Sequence, residues 1–497
     1  MSVKSILAKP FAKFVVSGIR KDATFAVVRQ ESILQGLLTQ AKSTAFGKDH
    51  RFDHITNQKE FAEAVPIRDY EVLKSYIEKV KTGEQNILWP GKPLYFAKTS
   101  GTTSGVKYIP ITAVSIKEHI KAARNALLCY VAETGNANFV NGKMIFLSGS
   151  PVLESIHEIY TGRLSGIVNH HVPKYLTKNR LPSYESNCIE DWETKLDAIV
   201  SETYNQNMTL ISGIPPWMQM YFDRLIEKTG KPIGELFPHF SLMVHGGVAF
   251  EPYKAKLFDS IGRSLDTIET FPASEGFFAF QDSQNHEGLL LNTNAGMYFE
   301  FIPANEIFDP NPQRVCLADV ALNVNYALII SSNAGLWAYN IGDTVKFVSL
   351  SPYRIVVTGR IKHFISAFGE HVIAEEVEYA LLKVAEKHLV RITEFTVAPF
   401  IARDDSPSYH EWFVEFENEP DNWEGFILEV DQALREKNIY YDDLIRGTIL
   451  APLQITKLRK NAFIDYMKSI GKLGGQNKVP RLSNDRTIAD ALQRFAL

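Results

Sequence analysis

Cysteine is scarce in this chain. Cys129, Cys188 and Cys316 are its three thiols, and their scatter supplies neither a disulfide framework nor the spacing of a metal site. So sparse a set suits a reducing, cytoplasmic compartment. An excess of charge of either sign is also missing: 53 basic residues stand against 57 acidic ones, a formal net charge of −4. That removes the electrostatic case for a nucleic-acid partner. No apolar run approaches the ~20 residues that a membrane span needs. The N-terminal stretch MSVKSILAKPFAKFVVSGIRKD interrupts its apolar residues with Lys4, Lys9, Pro10 and Lys13, so it lacks the continuous core of a signal peptide. No repeat or low-complexity segment occurs. What is present is ordinary for a globular protein: 45% hydrophobic and 22% charged residues, over a length that suits roughly two to four domains. The expected partner is a small molecule, with no nucleic acid and no membrane, and nothing in the sequence demands more than a monomer.

The first ninety residues read as helical. KMIFLSG (Lys143 to Gly149) and FSLMVHGG (Phe240 to Gly247) read as short buried strands ended by glycine. GLLLNTNAGMYFEFIP (Gly288 to Pro303) and NYALIISSNAGLWAYNIGDTVKFVS (Asn325 to Ser349) read as antiparallel strands around turns. The expected class is α/β with antiparallel additions. A strand stopping at Gly359 marks the main boundary, dividing the chain into 1–358 and a smaller α+β domain, 359–497, with a hinge near Gly359 to Lys362. In the smaller domain a helix follows His371, with Ile373, Val377, Ala380, Leu381 and Val384 on its apolar face. After it come a strand (Tyr409 to Glu417), a helix (Gly425 to Asn438), a strand (Leu450 to Leu458) and a short helix (Asn461 to Ile470).

Five short stretches carry chemistry. KTSGTTSGVKYIPIT crowds Ser100, Thr102, Thr103 and Ser104 around Gly101 and Gly105, so hydroxyls and backbone N–H groups could turn toward an anion. It is not a Walker loop, because only three residues separate the glycines and Val106 parts Gly105 from Lys107. Such a loop is either a phosphate cradle or merely a turn. In ETFPASEGFFAF, Glu275 sits among small and aromatic residues and is either an ion-pair partner or a carboxylate for magnesium. In LWAYNIGDTVKF, Asp343 follows Gly342 at an expected turn, where it either makes an Asx turn or accepts hydrogen bonds from a ribose. GRIKHFISAFGEHVIAEEVE lies at the boundary. GGQNKVPRLSNDR brings a glycine-rich approach to Lys478, which is either a surface residue or a cation for a transferring phosphate.

Taken in order, a Ser/Thr/Gly loop, an aromatic-x-x-Ser-Glu, a Tyr-x-x-Gly-Asp, a Gly-Arg with downstream Gly-Glu and a late lysine resemble the acyl-adenylate-forming superfamily. Within it the series resembles the auxin-responsive Gretchen Hagen family of acyl-acid amido synthetases, in a bacterial-type form, over about Thr99 to Arg486. The second loop glycine lies four residues after the first, as in that family, and QNKVPR (Gln476 to Arg481) resembles its Gln-aromatic-Lys-Thr-Pro-Arg segment. The resemblance implies a large N-terminal adenylate-forming domain with a smaller mobile C-terminal one. It also implies ATP and Mg²⁺ as the cofactors, and a small carboxylic acid and an amino acid or other amine as substrates. Thr99, Ser100, Gly101, Thr102 and Thr103 would cradle phosphate, and Glu275 would hold magnesium. Ser274 would lie near the α-phosphate, Asp343 would hold the ribose and Arg360 would reach the nucleotide. Phe271 and the turn Gly246, Gly247, Val248 would flank adenine, Lys362 would be the hinge and Lys478 the mobile catalytic lysine. An acyl-CoA ligase, or a nucleotide- or acyl-binding protein that has lost catalysis, would carry much of the same series.

The sequence departs from the family's Tyr-Ala-Ser-Ser-Glu in FPASE, which lacks a phenol and gains Pro272, and has Ala338 and Asn340 where plant members of the family carry arginines. The helix-like SGIPPWMQMYFDRL puts Trp217, Met218 and Tyr221 on one face, either as an acyl pocket or as core. His245 lies near the expected nucleotide and could contact the acyl substrate. His170 and His171 are adjacent and without ligand spacing, which suits a structural or surface pair.

Overall fold

The computed structural model describes residues 3–100, 106–172, 178–307, 309, 311–361, 364–365, 372–402, 408–446, 450–473, 479–483 and 485–497. Two compact units emerge: Met1–Ile341 with Lys346–Val356, and Gly342–Val345 with Val357–Leu497. Among the described residues no helix is long and apolar enough to cross a membrane.

The first unit opens, as expected, with helices: Val3–Thr24, Ala26–Ala41, Ala45–Asp49, Gln58–Ala64 and Tyr70–Lys81. Side-chain caps start several of them. Asn57 and Asp69 accept the backbone N–H groups of Glu60 and Val72, satisfying donors that a helix start leaves without a partner. A four-stranded sheet follows, built from β1 (Tyr95–Ser100), β2 (Val106–Ile111), β4 (Glu154–Ile156) and β5 (Ile159–Gly162) in the order β2-β1-β5-β4.

Among the described residues the main sheet has twelve strands. Its parallel half comprises β3 (Lys143–Phe146), β6 (Arg180–Leu181), β7 (Met208–Gly213), β8 (Leu242–Gly246) and β9 (Asp266–Ala273), in the order β6-β3-β7-β8-β9. The antiparallel half adds β10 (Gly276–Phe280), β11 (Leu289–Leu291), β12 (Met297–Pro303), β13 (Val315–Cys316), β14 (Asn325–Ser332), β15 (Tyr339–Leu350) and β16 (Tyr353–Arg360), giving the mixed α/β class expected. Apolar runs such as Leu210–Ile211 and Leu242–Met243 are buried because helices cover the parallel strands. On one face the helices Val3–Thr24 and Ser115–Thr134 bring Ala12, Val16, Ala122 and Ala126 against Leu210, Leu242 and Ile268. Small residues at those helix positions let the backbones approach closely.

The second unit has its own core. Here β17 (Phe364–Ile365) pairs with β18 (Val372–Ile373), and the helix Ala374–Lys387 buries Val377, Ala380, Leu381 and Val384, the apolar face read from the sequence. Three further strands are β19 (Arg391–Phe400), β20 (Tyr409–Asn418) and β21 (Gln454–Leu458), with β20 between the other two. Phe395, Val397, Trp412 and Val414 meet Phe426, Val430 and Leu434 of the helix Trp423–Lys437. Strand β19 has no counterpart among the expected elements.

Candidate active site

The loop quoted for phosphate joins a hairpin: β1 and β2 pair antiparallel with Thr99 opposite Lys107 and Ser100 opposite Val106. Gly101, Thr102, Thr103, Ser104 and Gly105 lie outside the described residues, as do Lys362 and Lys478. The hairpin stem is anchored on both sides. Lys98 Nζ reaches Glu154 Oε2 at 2.5 Å, and the Tyr108 backbone N–H donates to the Tyr70 hydroxyl at 2.9 Å.

Glu275 stands at the tight turn between β9 and β10, preceded by the buried Ser274. Phe271, also buried on β9, sets its ring edge-on to Phe278 at 5.0 Å between centroids. Glu275 is partly exposed and lines a small pocket with Ser115 and His119 of the helix Ser115–Thr134, Phe277 and Asn333. Burial, and then the Glu275 carboxylate, push the Tyr339 hydroxyl pKa upward, which places the two groups near each other. Among the described residues no group of three metal-ligating side chains occurs. A single carboxylate beside phosphate oxygens is nonetheless how magnesium is commonly held, so the donor set fits nucleotide-borne Mg²⁺ and not an all-protein cage.

His119 carries a stability signature of its own. It is buried, and desolvation lowers its imidazole from the ordinary 6.5 to about 4. The folded state therefore gains from the neutral ring at pH values above 6.5 and loses that gain as pH falls through about 4. Over that window the group costs the wild type about 1.4 kcal/mol per pH unit. A His119→Gln variant, followed by urea unfolding between pH 7 and 4, is expected to show a correspondingly shallower acid limb. An unchanged slope would contradict the assignment.

Asp343 lies inside β15 and not in a turn. The strand continues through Gly342 because a glycine tolerates φ of +87° there. The buried Asp343 carboxylate accepts a hydrogen bond from Arg360 Nε at 2.8 Å, and the Ile361 N–H donates to the Gly342 carbonyl at 2.7 Å. Arg360 itself stays largely exposed, and the pair joins the third and fourth motifs of the series within the second unit. Ala338 is fully buried, with φ of +45°; its N–H donates to Ser331 Oγ and its carbonyl accepts the Arg68 N–H. Asn340 N–H donates to the Arg68 carbonyl. The backbone at both positions is thus held by the segment at Arg68.

Gly246 ends β8 and Gly247 and Val248 follow in a bend. A Cβ at Gly246 would sit 2.2 Å from the Thr270 carbonyl oxygen, so the approach of β8 to β9 requires glycine. Trp217, Met218 and Tyr221 are buried on the helix Pro215–Thr229; Trp217 packs on Trp192 at 4.6 Å, and the Tyr221 hydroxyl pairs with Thr203 Oγ1 at 2.6 Å. His245 is buried on β8, stacked on Phe250 at 4.0 Å. His170 Nε2 donates to the Pro151 carbonyl and His171 pairs with the Tyr95 hydroxyl, so the two rings serve separate structural partners. Sequence reasoning passes over His119 and Glu269. Helical spacing makes the first look like one more polar helix residue, and the second is marked only by its place in an alternating strand.

The fold is that of an adenylate-forming enzyme scaffold. The chain superposes on a GH3.15 acyl acid amido synthetase with a TM-score of 0.78 at 15% identity, covering 97% of this chain and 96% of that one. On a 2-hydroxyisobutyryl-CoA ligase in the postadenylation state the TM-score is 0.62 at 12% identity, over 94% and 90%. Residues 17–151, 290–360 and 375–487 match the GH3 family N-terminal, central and C-terminal domains. The chain therefore belongs to the GH3 family. It is 21% identical to the indole-3-acetic acid-amido synthetase GH3.3 of Arabidopsis thaliana, over 93% of this chain and 90% of that protein. It is 23% identical to the jasmonoyl–L-amino acid synthetase JAR4 of Nicotiana attenuata, over 64% and 66%.

Proposed function

We propose that the chain is an ATP-dependent acyl-acid amido synthetase, which adenylates a small carboxylic acid with release of pyrophosphate and passes the acyl group to an amino acid or other amine. The observation that carries this reading is membership of the GH3 family through all three of its domains, with a relative named as an amido synthetase matched over nine-tenths of both chains. MgATP supplies the phosphorus centre and the leaving pyrophosphate. The protein's part is positioning and charge compensation, which suffice for nucleotidyl transfer.

In this reading the loop Thr99 to Thr103 cradles the β- and γ-phosphates, Ser274 lies by the α-phosphate and Glu275 holds magnesium. Phe271 and the turn Gly246–Val248 flank adenine. Asp343 keeps one oxygen on Arg360 and turns its remaining acceptor capacity to the ribose. Residues 359–497 act as a mobile domain hinged at Lys362, bringing Lys478 to the phosphate for the first step. Trp217, Met218, Tyr221 and His245 belong to the acyl side of the proposal. The enzyme works as a cytoplasmic monomer.

The reading is tested by ATP–pyrophosphate exchange that requires a carboxylic acid and no amine; exchange with no acid dependence would sink it. Within that assay Asp343→Ala is expected to raise the KM for ATP roughly tenfold to a hundredfold, since charge-assisted hydrogen bonds are worth about 1.5–3 kcal/mol, with kcat less affected. An unchanged KM would remove Asp343 from the ribose.

A further inference from the structure

One face of the parallel sheet sets a buried histidine, whose ring nitrogens have no hydrogen-bond partner among the described residues, beside a partly buried glutamate. In the ladder, Gly213 of β7, His245 of β8 and Glu269 of β9 stand side by side. Register neighbours in a parallel sheet share a face, so His245 and Glu269 project together, and on the β7 side Gly213 contributes no side chain. His245 is only 3% exposed, and neither ring nitrogen has a partner among the described residues. Its ring is fixed by Phe250, stacked at 4.0 Å and 13°. Desolvation, then Lys254, lower its pKa to about 3, so the ring is neutral and offers one donor and one acceptor. Glu269 uses its backbone, through Gln281, to hold the strand in place, while its carboxyl is partly buried. Burial and the Glu251 carboxylate push that carboxyl up to about 7.

A buried imidazole without partners, set beside a half-buried carboxyl, is costly to folding unless something else is gained. Its position suggests what. The pair lies toward the carboxyl ends of β7 and β8, where open α/β sheets bind ligands, and His245 directly precedes the glycine turn assigned to the adenine side. A hydroxyl on a ligand would donate to the carboxylate and accept from the ring N–H, an amino group would donate to both the carboxylate and the ring acceptor, and a cationic one would also offset Glu269 and Glu251.

We propose that His245 and Glu269 form a polar subsite that takes a hydrogen-bond-donating substituent, hydroxyl or amino, of a substrate, and so selects for substrates that carry one. This rests on the adenylation reading for the identity of the site. The donor comes from either the acid or the acceptor amine, and the assay separates the two.

The experiment uses matched pairs: 3-hydroxy- and 3-aminobenzoate against benzoate, 3-hydroxy- and 3-aminobutanoate against butanoate, and serine and lysine against alanine and norleucine. Binding to the full chain with MgATP is read by calorimetry, and turnover by pyrophosphate exchange and amide formation. The wild type is expected to favour the donor-bearing acid, or the donor-bearing acceptor, at least tenfold. Glu269→Leu is expected to abolish that preference while leaving the Tm equal or higher, because a partly buried carboxyl beside the Glu251 carboxylate is replaced by an apolar side chain. Glu269→Gln keeps an acceptor oxygen and is expected to retain the hydroxyl preference, and it serves as the folded control should the leucine variant fail to fold. A preference that survives Glu269→Leu, or a wild type that binds no donor-bearing member better than its apolar match, overturns the subsite. Preference in binding without any exchange would overturn the adenylation reading and leave the subsite standing.

Discussion

Lys478→Ala is expected to cut acyl-adenylate formation by about 10²–10³, while the affinity for ATP measured by binding changes less than about threefold. The size follows from what one preorganised charge contributes when it acts on charge developing in the transition state, about 2.7–4 kcal/mol. The split follows from differential binding: a group that engages only in the closed, reacting arrangement stabilises the transition state and not the bound nucleotide. Single-turnover measurement of acyl-AMP beside equilibrium titration with ATP checks it. Equal losses in the two would make Lys478 a binding or structural residue. Lys478→Arg keeps the charge in a different shape and is expected to restore only part of the rate.

The largest effect on stability is expected from Arg314→Ala. Glu300, on β12, is fully buried, and its carboxylate is held by Arg314 through Nε at 3.0 Å and Nη2 at 2.7 Å. Arg314 Nη1 also donates to the carbonyls of Ala62 and Val65, and the guanidinium lies over the Phe61 ring at 5.5 Å. One side chain therefore ties the helix Gln58–Ala64 to the main sheet. Removing it strands a buried charge, which costs about 3–5 kcal/mol. Against a total stability of ~5–15 kcal/mol that is a large share. Urea unfolding by circular dichroism is expected to show that loss, and a change below about 1 kcal/mol would show that Glu300 finds another partner. The double variant Arg314→Met with Glu300→Leu is expected to recover much of the loss, because the cost lies in leaving one partner buried alone.

Gly101 and Gly105, Glu275, Asp343 and Lys478 sit in a fixed order at compatible distances, and order along a chain is legible in the sequence alone. The helical opening and the apolar face of Ala374–Lys387 follow from periodicity, which local packing preserves. Strand β19 is harder to read, since Pro399 and the acidic Glu394 weaken its pattern and its pairing partner β20 is supplied by tertiary structure. Asp343 looks like a turn residue because Gly-Asp usually is one; here the positive φ of Gly342 is absorbed within a strand. The pairing of Asp343 with Arg360, of Glu275 with the pocket at His119, and of His245 with Glu269 depends on which strands become neighbours. Nothing in one dimension encodes a register between β8 and β9. The buried Ala338 shows the same limit: its place in the interior, held at Arg68, comes from a bridge between distant segments.

The most direct test of the central claim is a mass-spectrometric product screen. Purified protein is incubated with MgATP, a pool of aryl and aliphatic acids, and either the twenty amino acids or coenzyme A. The account predicts an acyl–amino acid conjugate with stoichiometric AMP and pyrophosphate. A thioester with no amide in either mixture would contradict it.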